Sequence, residues 1–302
     1  MSLAVDVGPM RLRTPLVAAA GTVGSVYEWA TVADLRPYGA AVAKSVSGTP
    51  WPGRPAPRLA PTEFGMLNGI GIQNPGIDAW VADVAPRLSD LDVDVWGSAV
   101  GESPDEFAEV AARLGEAGVT AVEVNLSCPN LEDGGMFALD PVASSTVVEA
   151  VRAATDVPVG AKLSPNSERI GEIAAACAEA GADFAVVANT VWGAAIDIEH
   201  RRPVLTGRIG GYSGIPVKPI AMRCVLEVRA RVPDLPVVAC GGVRTGEDVV
   251  EYLVAGAAAV EAGTVHFAEP DAGRRIVREL EGWMEAHGVA DVADLVGTMV
   301  SW

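Results

Sequence analysis

The sequence predicts an α/β protein of the (β/α)₈ TIM-barrel class, formed by one domain over residues 1–302 with inserted loops at the C-terminal face of the barrel. Eight apolar, strand-like runs alternate with eight segments of helical character. Polar or glycine residues follow almost every run, and barrel enzymes place their sites at these strand ends. A doubly wound open sheet would show the same alternation. The count of eight favours the barrel, and no G-x-G-x-x-G follows the first strand.

The predicted strands are short runs of mainly aliphatic residues that end at glycine, proline or polar residues. They cover residues 15–20, 40–46, 93–100, 119–124, 157–163, 184–188, 236–239 and 258–262. The predicted helices cover residues 28–35, 77–88, 103–118, 140–154, 168–180, 219–232, 247–255 and 272–287. Ser103 and Glu106 predict a capping box at the third helix, with Pro104 in its first turn and Gly118 at its end.

Two long excursions, residues 48–76 and 192–216, interrupt this alternation. The first is too rich in proline and glycine for a regular element, but Trp51, Phe64 and Leu67 predict that it is ordered. Loops of this length in compact domains are usually functional or disordered. We therefore expect the first excursion to be functional.

Composition excludes several classes of function. The net charge of −17 argues against a nucleic-acid partner, because nucleic-acid phosphates would be repelled. No apolar run reaches the roughly 18 residues of a membrane span, and the N-terminus has no signal-peptide pattern, so we expect no membrane partner and a cytoplasmic location. No two of the four cysteines form a C-x-x-C pair, so we expect free thiols and no zinc or iron–sulfur site.

The stretch from Glu123 to Asn130 carries the strongest chemical signal. It starts in the fourth strand, stops at Pro129, and presents Asn125, Cys128 and Asn130 at the strand end. A buried structural cysteine in a tight turn is the simplest interpretation of a lone Cys. The flanking polar groups favour a ligand site instead, because burying so many of them without partners is costly. The glycines at 134 and 135 predict a mobile loop over residues 131–137.

Other strand ends predict an anionic ligand. Glycine-rich ends of the last two strands are typical of a phosphate site in barrels, whereas tight turns are the alternative. Lysines at the ends of the second and fifth strands either face this ligand or lie on a solvated rim. The four groups are Gly241-Gly242, Gly263-Thr264, Lys44 and Lys162. The three histidines have no metal-ligand spacing, so proton transfer falls to Cys128 or a carboxylate.

These motifs together resemble one family over nearly the whole chain. They are Glu123 to Asn130 with the two glycines that follow, Ala43-Lys44-Ser45, Asn68 to Gly76, Lys162 to Asn166, Gly210 to Gly214, Gly241-Gly242-Val243 and Gly263-Thr264. The chain resembles the soluble, flavin mononucleotide (FMN)-dependent class 1 dihydroorotate dehydrogenases, and it is most similar to the class 1B catalytic subunits. The resemblance implies oxidation of dihydroorotate to orotate in pyrimidine (UMP) biosynthesis.

The resemblance also implies roles for individual residues. Cys128 matches the general base that removes the C5 proton, while the C6 hydride passes to FMN. The substrate contacts implied in this way are Lys44, Asn68, Gly69, Ile70, Gly71, Ile72, Asn125, Asn130, Asn189 and Thr190. The implied FMN contacts are Ala20, Gly21, Lys44, Ser45, Ser98, Asn125, Lys162, Ala188, Gly214, Gly241, Gly242, Gly263 and Thr264.

Two positions depart from the family pattern, and one segment indicates the subclass. Ala20 stands where the family usually has Ser, and Ser98 where it usually has Asn, which puts the strength of FMN binding in doubt. The sequence from Gly71 to Gly76 resembles the type that passes electrons to a separate iron–sulfur flavoprotein subunit carrying FAD, and then to NAD. We expect this partner, a homodimer of the chain itself, and no metal site within it.

Three alternatives remain open from the sequence. The chain could be another FMN-dependent barrel oxidoreductase acting on pyrimidines or quinones, such as one similar to dihydropyrimidine dehydrogenase. It could be an RNA-modifying enzyme similar to dihydrouridine synthase, which the acidic charge disfavours. It could also be a non-catalytic barrel that binds a phosphorylated ligand, which a flavin absorption spectrum would argue against.

Overall fold

A closed barrel of eight parallel strands forms the centre of the protein. The structure, a computed structural model, describes residues 1–127 and 136–301. The strands are β1 (Leu16–Ala18), β2 (Ala40–Val42), β3 (Asp94–Ala99), β4 (Ala121–Asn125), β5 (Val159–Lys162), β6 (Phe184–Val187), β7 (Val237–Cys240) and β8 (Ala259–Ala262). Each pairs with the next in chain order, and β8 pairs with β1. The predicted fold class is confirmed, and each strand overlaps its predicted range.

Helices connect the strands and cover the outside of the barrel. They are α1 (Ile77–Asp83), α2 (Pro104–Glu116), α3 (Pro141–Ala154), α4 (Ile170–Glu179), α5 (Lys218–Arg231), α6 (Gly246–Val254), α7 (Val265–Ala268) and α8 (Ala272–His287). Within the described part of the chain, no helix has both the length and the apolar character needed to cross a membrane.

The prediction of a helix over residues 28–35 is wrong. Only a single 3₁₀ turn forms there, Trp29–Thr31, and the backbone leaves the helical region at Val32, where φ is −127°. The β-branched Thr31 and Val32 favour helix weakly, and the buried side chain of Trp29 fixes the turn against Tyr38, with ring centroids 5.2 Å apart. Packing therefore decides the conformation of this connection.

Two predictions about helix boundaries need correction. The predicted helix over residues 77–88 divides into α1 and a 3₁₀ segment, Ala85–Asp90, because Pro86 lacks the N–H that an α-helix would use there. At α2, Ser103 accepts the predicted hydrogen bond from the N–H of Glu106, at 3.2 Å. The Glu106 carboxylate does not complete a capping box, because it accepts from the N–H groups of Glu102 and Gly48 instead.

The two excursions meet above the barrel in a four-stranded antiparallel sheet, called the cap sheet here. Its strands, in spatial order, are Val191–Gly193, Gly210–Gly214, Gly65–Asn68 and Leu59–Pro61. The expectation that the first excursion holds no regular element is therefore wrong, although it is ordered as predicted. The sequence hides these strands because their pairing is non-local and one of them is mostly glycine.

A hairpin at the N-terminus closes the opposite end of the barrel. Its strands, Val5–Val7 and Met10–Leu12, pair around Gly8, where φ is +56° and a Cβ atom would lie 2.9 Å from the carbonyl oxygen of Asp183. Asp183 immediately precedes β6. The hairpin was not predicted, because three-residue strands are too short to show alternation.

Helix α7, which follows β8, contains a buried histidine. Nε2 of His266 lies 3.0 Å from the hydroxyl of Tyr38, and Nδ1 lies 3.0 Å from Oγ1 of Thr22. Oγ1 of Thr22 donates to the carbonyl oxygen of Ala19 at 2.8 Å, so the Nδ1–H group of His266 donates to Thr22 and Tyr38 donates to Nε2. Burial lowers the pKa of His266 to about 4, which keeps the ring neutral.

Candidate active site at the barrel mouth

The C-terminal ends of the eight strands form a rim, called the barrel mouth here, where most predicted site residues lie. Asn125 ends β4 and Lys162 ends β5, and the two are partners in the strand register. Lys44 and Ser45 follow β2, and Asn189 lies two residues beyond β6. Parallel strands thus bring together residues that lie far apart in sequence, as the barrel prediction required.

A row of hydrogen-bonded polar side chains crosses the mouth, called the polar row here. The hydroxyls of Ser98 and Ser45 lie 2.9 Å apart, Nδ2 of Asn125 donates to Oγ of Ser45 at 3.3 Å, and Nδ2 of Asn189 donates to Oδ1 of Asn125 at 3.4 Å. Ser98 is fully buried, so it forms the inner end of the row, where its hydroxyl is hydrogen-bonded to Ser45. The row joins predicted flavin contacts to predicted substrate contacts, and Ser98, one of the departures from the family pattern, is part of it.

The cap sheet brings two further predicted substrate contacts to one place. Nδ2 of Asn68 donates to the carbonyl oxygen of Gly211 at 3.2 Å, and Gly211 lies against Thr190. A Cβ atom at position 211 would lie 2.2 Å from Oγ1 of Thr190. The N–H of Thr190 in turn donates to Oδ1 of Asn189 at 2.7 Å, which connects this group to the polar row.

Residues 69–72, also predicted to contact substrate, are held by their own excursion. The N–H of Gly69 donates to the carbonyl oxygen of Arg58 at 2.8 Å, and the N–H of Arg54 donates to that of Ile70 at 3.0 Å. Gly71 and Ile72 both have positive φ, at +68° and +48°. These bonds fix the loop beside the cap sheet, and within the described part of the chain the hydrogen bonds of this loop do not reach the polar row.

The glycine loops after β7 and β8 form a cradle of backbone N–H groups. Cys240 and Glu261 are register partners, so Gly242 and Gly263 follow at equivalent positions on neighbouring strands. Among the hydrogen bonds of the described residues, none uses the N–H groups of Gly242, Gly263 or Thr264. Gly242 has a φ of +70°, and a Cβ atom there would lie 2.7 Å from Cβ of Lys218. N–H groups without protein acceptors suit a phosphate.

The remaining predicted flavin contacts lie around the same rim. Ala20 and Gly21 follow β1 and are partly buried and exposed, respectively. The N–H of Ala188, just past β6, donates to the carbonyl oxygen of Cys240 at 2.9 Å. Gly214 ends a cap-sheet strand with a φ of +106°, and a Cβ atom there would lie 2.6 Å from Cα of Gly65.

Three ionisable side chains lie buried together inside the barrel, below the mouth. Nζ of Lys162 lies 2.9 Å from Oε2 of Glu261, and 3.2 and 3.4 Å from the two carboxylate oxygens of Glu123. The lysine side chain is 6% exposed and both glutamates are fully buried. We call these three residues the lysine–glutamate triad.

Electrostatics in the triad follow from burial and from the paired charges. Burial raises the pKa of Glu123 to about 8, with Glu261 adding to the rise and Lys162 opposing it. Burial lowers the pKa of Lys162, but the two carboxylates outweigh it, so the pKa is raised and the lysine stays charged. Burial likewise raises the pKa of Cys240 well above its usual range, so Cys240 stays a neutral thiol at neutral pH.

Some predicted residues fall outside the described part of the chain. Cys128 and Asn130 belong to residues 128–135, as does most of the predicted mobile loop. The last two residues of that predicted loop, Met136 and Phe137, are described and buried, and the Phe137 ring makes an edge contact with Phe107 at 5.7 Å. No group of three or more His, Cys, Asp or Glu residues able to hold a metal ion occurs in the described residues.

Sequence reasoning missed two contributors to the mouth. Asn166 donates from Nδ2 to the carbonyl oxygen of Thr190 at 3.1 Å and accepts from the N–H of Trp192 at 2.8 Å, so it holds the start of the second excursion.

Glu261 was given no role. Its signal was a charged residue inside an apolar strand, since residues 121–124 read Ala-Val-Glu-Val and residues 259–262 read Ala-Val-Glu-Ala.

Comparison with known proteins places this site in a family. The family model described as dihydroorotate dehydrogenase matches residues 2–284. The chain belongs to the dihydroorotate dehydrogenase family. It is therefore an oxidoreductase, and enzymes of this family depend on a flavin. The match favours neither the RNA-modifying enzyme nor the non-catalytic barrel considered above.

Curated relatives cover the chain almost end to end. Two proteins named dihydroorotate dehydrogenase B (NAD(+)), catalytic subunit, are 43% identical in Pelobacter propionicus and 44% identical in Geobacter sulfurreducens. Each alignment covers 98% of this chain and 98% of the relative. A solved structure of a dihydroorotate dehydrogenase with ferulenol from Eimeria tenella superimposes with a TM-score of 0.82 at 22% identity, over 98% of this chain and 88% of the other, which shows the shared fold.

Proposed function

We propose that this chain is the catalytic subunit of an NAD-linked dihydroorotate dehydrogenase. It oxidises dihydroorotate to orotate, a step in the synthesis of pyrimidine nucleotides such as UMP. The observation that carries the proposal is the polar row, in which Ser45, Asn125 and Asn189 are joined by hydrogen bonds at the barrel mouth beside Lys162. Amides in such a row match the carbonyl and N–H edges of a pyrimidine ring.

The residues at the mouth fit FMN as the flavin. The free N–H groups of Gly242, Gly263 and Thr264 suit its phosphate, and Lys162 and the polar row suit the polar edge of its ring. A flavin held there would supply the acceptor for the hydride from C6 of the substrate. Lys162 would hold a positive charge near the ring, and Ser45 would orient the Asn125 amide toward it.

Substrate recognition falls to the cap sheet and to the loop after β6. Asn68 and Thr190, brought together by Gly211, would bind the pyrimidine ring together with Asn125 and Asn189. Lys44, at the end of β2, would bind the substrate carboxylate. Cys128 would remove the C5 proton as general base, and Asn130 would lie in the same cradle. Both belong to residues 128–135, so their positions are part of the proposal.

Electrons leave through a partner in this proposal. The relatives are named as catalytic subunits of NAD(+) enzymes, and the Gly71 to Gly76 sequence resembles the type with an iron–sulfur, FAD-containing subunit. We propose such a partner, a homodimer of this chain, and a cytoplasmic location.

Steady-state kinetics with the purified chain test the function. Dihydroorotate should be oxidised with an artificial dye as acceptor, while NADH formation by the chain alone should be slow. Addition of the partner subunit should restore NADH formation. No dye reduction by a flavin-loaded chain would remove dihydroorotate as the substrate. If the chain alone forms NADH as fast as it reduces the dye, it needs no partner subunit. Efficient turnover with fumarate would indicate the other soluble subclass.

A further inference from the structure

The lysine–glutamate triad carries more carboxyl groups than its lysine can balance. Two glutamates, from β4 and β8, face one lysine, from β5, and all three are buried. Within the described residues, neither Glu123 nor Glu261 has another cationic partner or a backbone donor. An ionised carboxylate without a balancing charge is strongly disfavoured in such a buried site.

The surroundings supply no other group to offset the second carboxylate. The Cys240 thiol on β7, beside Glu261, can donate only a weak hydrogen bond to this carboxyl group and carries no positive charge. The strands β1, β2 and β6 contain no titratable residue. Oε1 of Glu261 is buried and has no hydrogen-bond partner in the described structure. The carboxyl groups of Glu123 and Glu261 lie within hydrogen-bonding reach of each other. A proton held between them would remove the excess charge and give this oxygen a partner.

We propose that Glu123 and Glu261 share one proton and act as positioning residues that keep Lys162 in a neutral group beneath the flavin, and so set the flavin's reduction potential. The proposal rests on the proposed function for the place of the flavin. A lysine with one counter-charge stabilises added electrons less than an uncompensated lysine would. Because Glu123 and Glu261 share one proton, together they carry a single negative charge opposite Lys162.

Sharing predicts an unusual mutational pattern. In Glu261→Gln, the remaining carboxyl of Glu123 loses its like-charged neighbour, ionises, and still pairs with Lys162. Glu123→Gln acts in the same way on Glu261. The flavin potential of each single variant should therefore stay close to the wild-type value. In the double variant Lys162 has no counter-charge, so the potential should rise by much more than the sum of the two single-variant changes.

The first measurement is the flavin midpoint potential of the four proteins. Glu251→Gln is the matched control, because Glu251 and Asp248 pair with Lys218 outside the barrel in the same two-to-one arrangement. This control should leave the potential unchanged. If the flavin potential rises by the same amount in each single variant, and by twice that amount in the double variant, both carboxylates are ionised. An unchanged potential in the double variant would mean that the triad does not act on the flavin.

The second measurement needs no flavin and no double variant. Infrared spectra of the apoprotein at neutral pH should contain a carboxylic-acid C=O band that disappears in Glu123→Gln and also in Glu261→Gln. Loss of the band in only one variant would mean that a single glutamate holds the proton, and absence of the band from the wild type would overturn the proposal. A protein that binds no flavin would contradict the proposed function, while this spectrum would still decide whether the proton is shared.

Discussion

Gly211 lies so close to Thr190 that a Cβ atom at position 211 would be 2.2 Å from Oγ1 of the threonine. The same atom would lie 3.1 Å from Nδ2 of Asn68. Glycine at this position therefore allows two proposed substrate contacts to meet. Its φ is not in the left-handed region, so the backbone conformation does not require glycine. What matters is the absence of a side chain.

Gly211→Ala should weaken substrate binding. The methyl group displaces Thr190 or Asn68, so the KM for dihydroorotate should rise about tenfold, equivalent to about 1.4 kcal/mol, while flavin content stays the same. Steady-state kinetics with a dye acceptor give the value. Gly282→Ala is the matched control, because a Cβ atom at that helical position meets nothing within 4 Å. An unchanged KM in Gly211→Ala would remove Thr190 and Asn68 from substrate binding.

Cys128→Ser should slow reduction of the flavin strongly while leaving flavin and orotate binding intact. A hydroxyl is a far poorer base than a thiol with a pKa of about 8.5, and a positioned base contributes about 10²–10⁴-fold. Stopped-flow reduction at several pH values measures the effect, and the wild-type rate should rise through the thiol pKa. Cys177→Ser, the same exchange on α4, should leave the rate unchanged. Near-normal reduction in Cys128→Ser at pH 7 would exclude Cys128 as the base.

Ser98→Ala should weaken flavin binding a few-fold, equivalent to about 1 kcal/mol. The change removes one hydrogen bond from Ser45, which in turn orients Asn125. Fluorescence titration of the apoprotein with FMN gives the Kd. Ser145→Ala is the control, because its hydroxyl donates only to the carbonyl oxygen of Val142 in the same helix, α3. Equal FMN affinity in Ser98→Ala and the wild type would mean that the polar row does not position the flavin.

His266 should make the protein less stable in mild acid. Its pKa is lowered from 6.5 to about 4 by burial, so the unfolded state binds the proton first as the pH falls. The stability contributed by the neutral ring is complete above pH 6.5 and is lost as the pH falls to about 4, with about 2 kcal/mol lost by pH 5. Urea unfolding at pH 7 and pH 5 measures this. His266→Gln should show a smaller decrease, and parallel decreases in both proteins would contradict the assignment.

The alternation of apolar runs with helical segments was sufficient to predict the barrel, because its strands are buried on both faces and most of its helices bury one face. It failed where the structure depends on non-local contacts. The strand Gly210–Gly214 has almost no side chains to form a pattern, and only its pairing with Gly65–Asn68 makes it a strand. The turn at Trp29 likewise depends on Tyr38.

The site was predicted best where strand ends bring polar residues together, as with Asn125 and Lys162. Glu261 was missed because a single glutamate in an apolar strand gives no sign of its neighbours until the barrel closes. The assignments of Cys128 and Asn130 remain predictions from resemblance, since both belong to residues 128–135.

The cap sheet has a consequence for how substrate preference can change. Its central pairing joins Gly65–Asn68 from one half of the chain to Gly211–Gly214 from the other through four register pairs. An excursion transplanted alone from a relative with another substrate would have to reproduce this backbone pairing with the excursion that stays. A redesign of the substrate pocket therefore has to treat the two distant segments as one unit, whereas the eight barrel strands beneath them can stay unchanged.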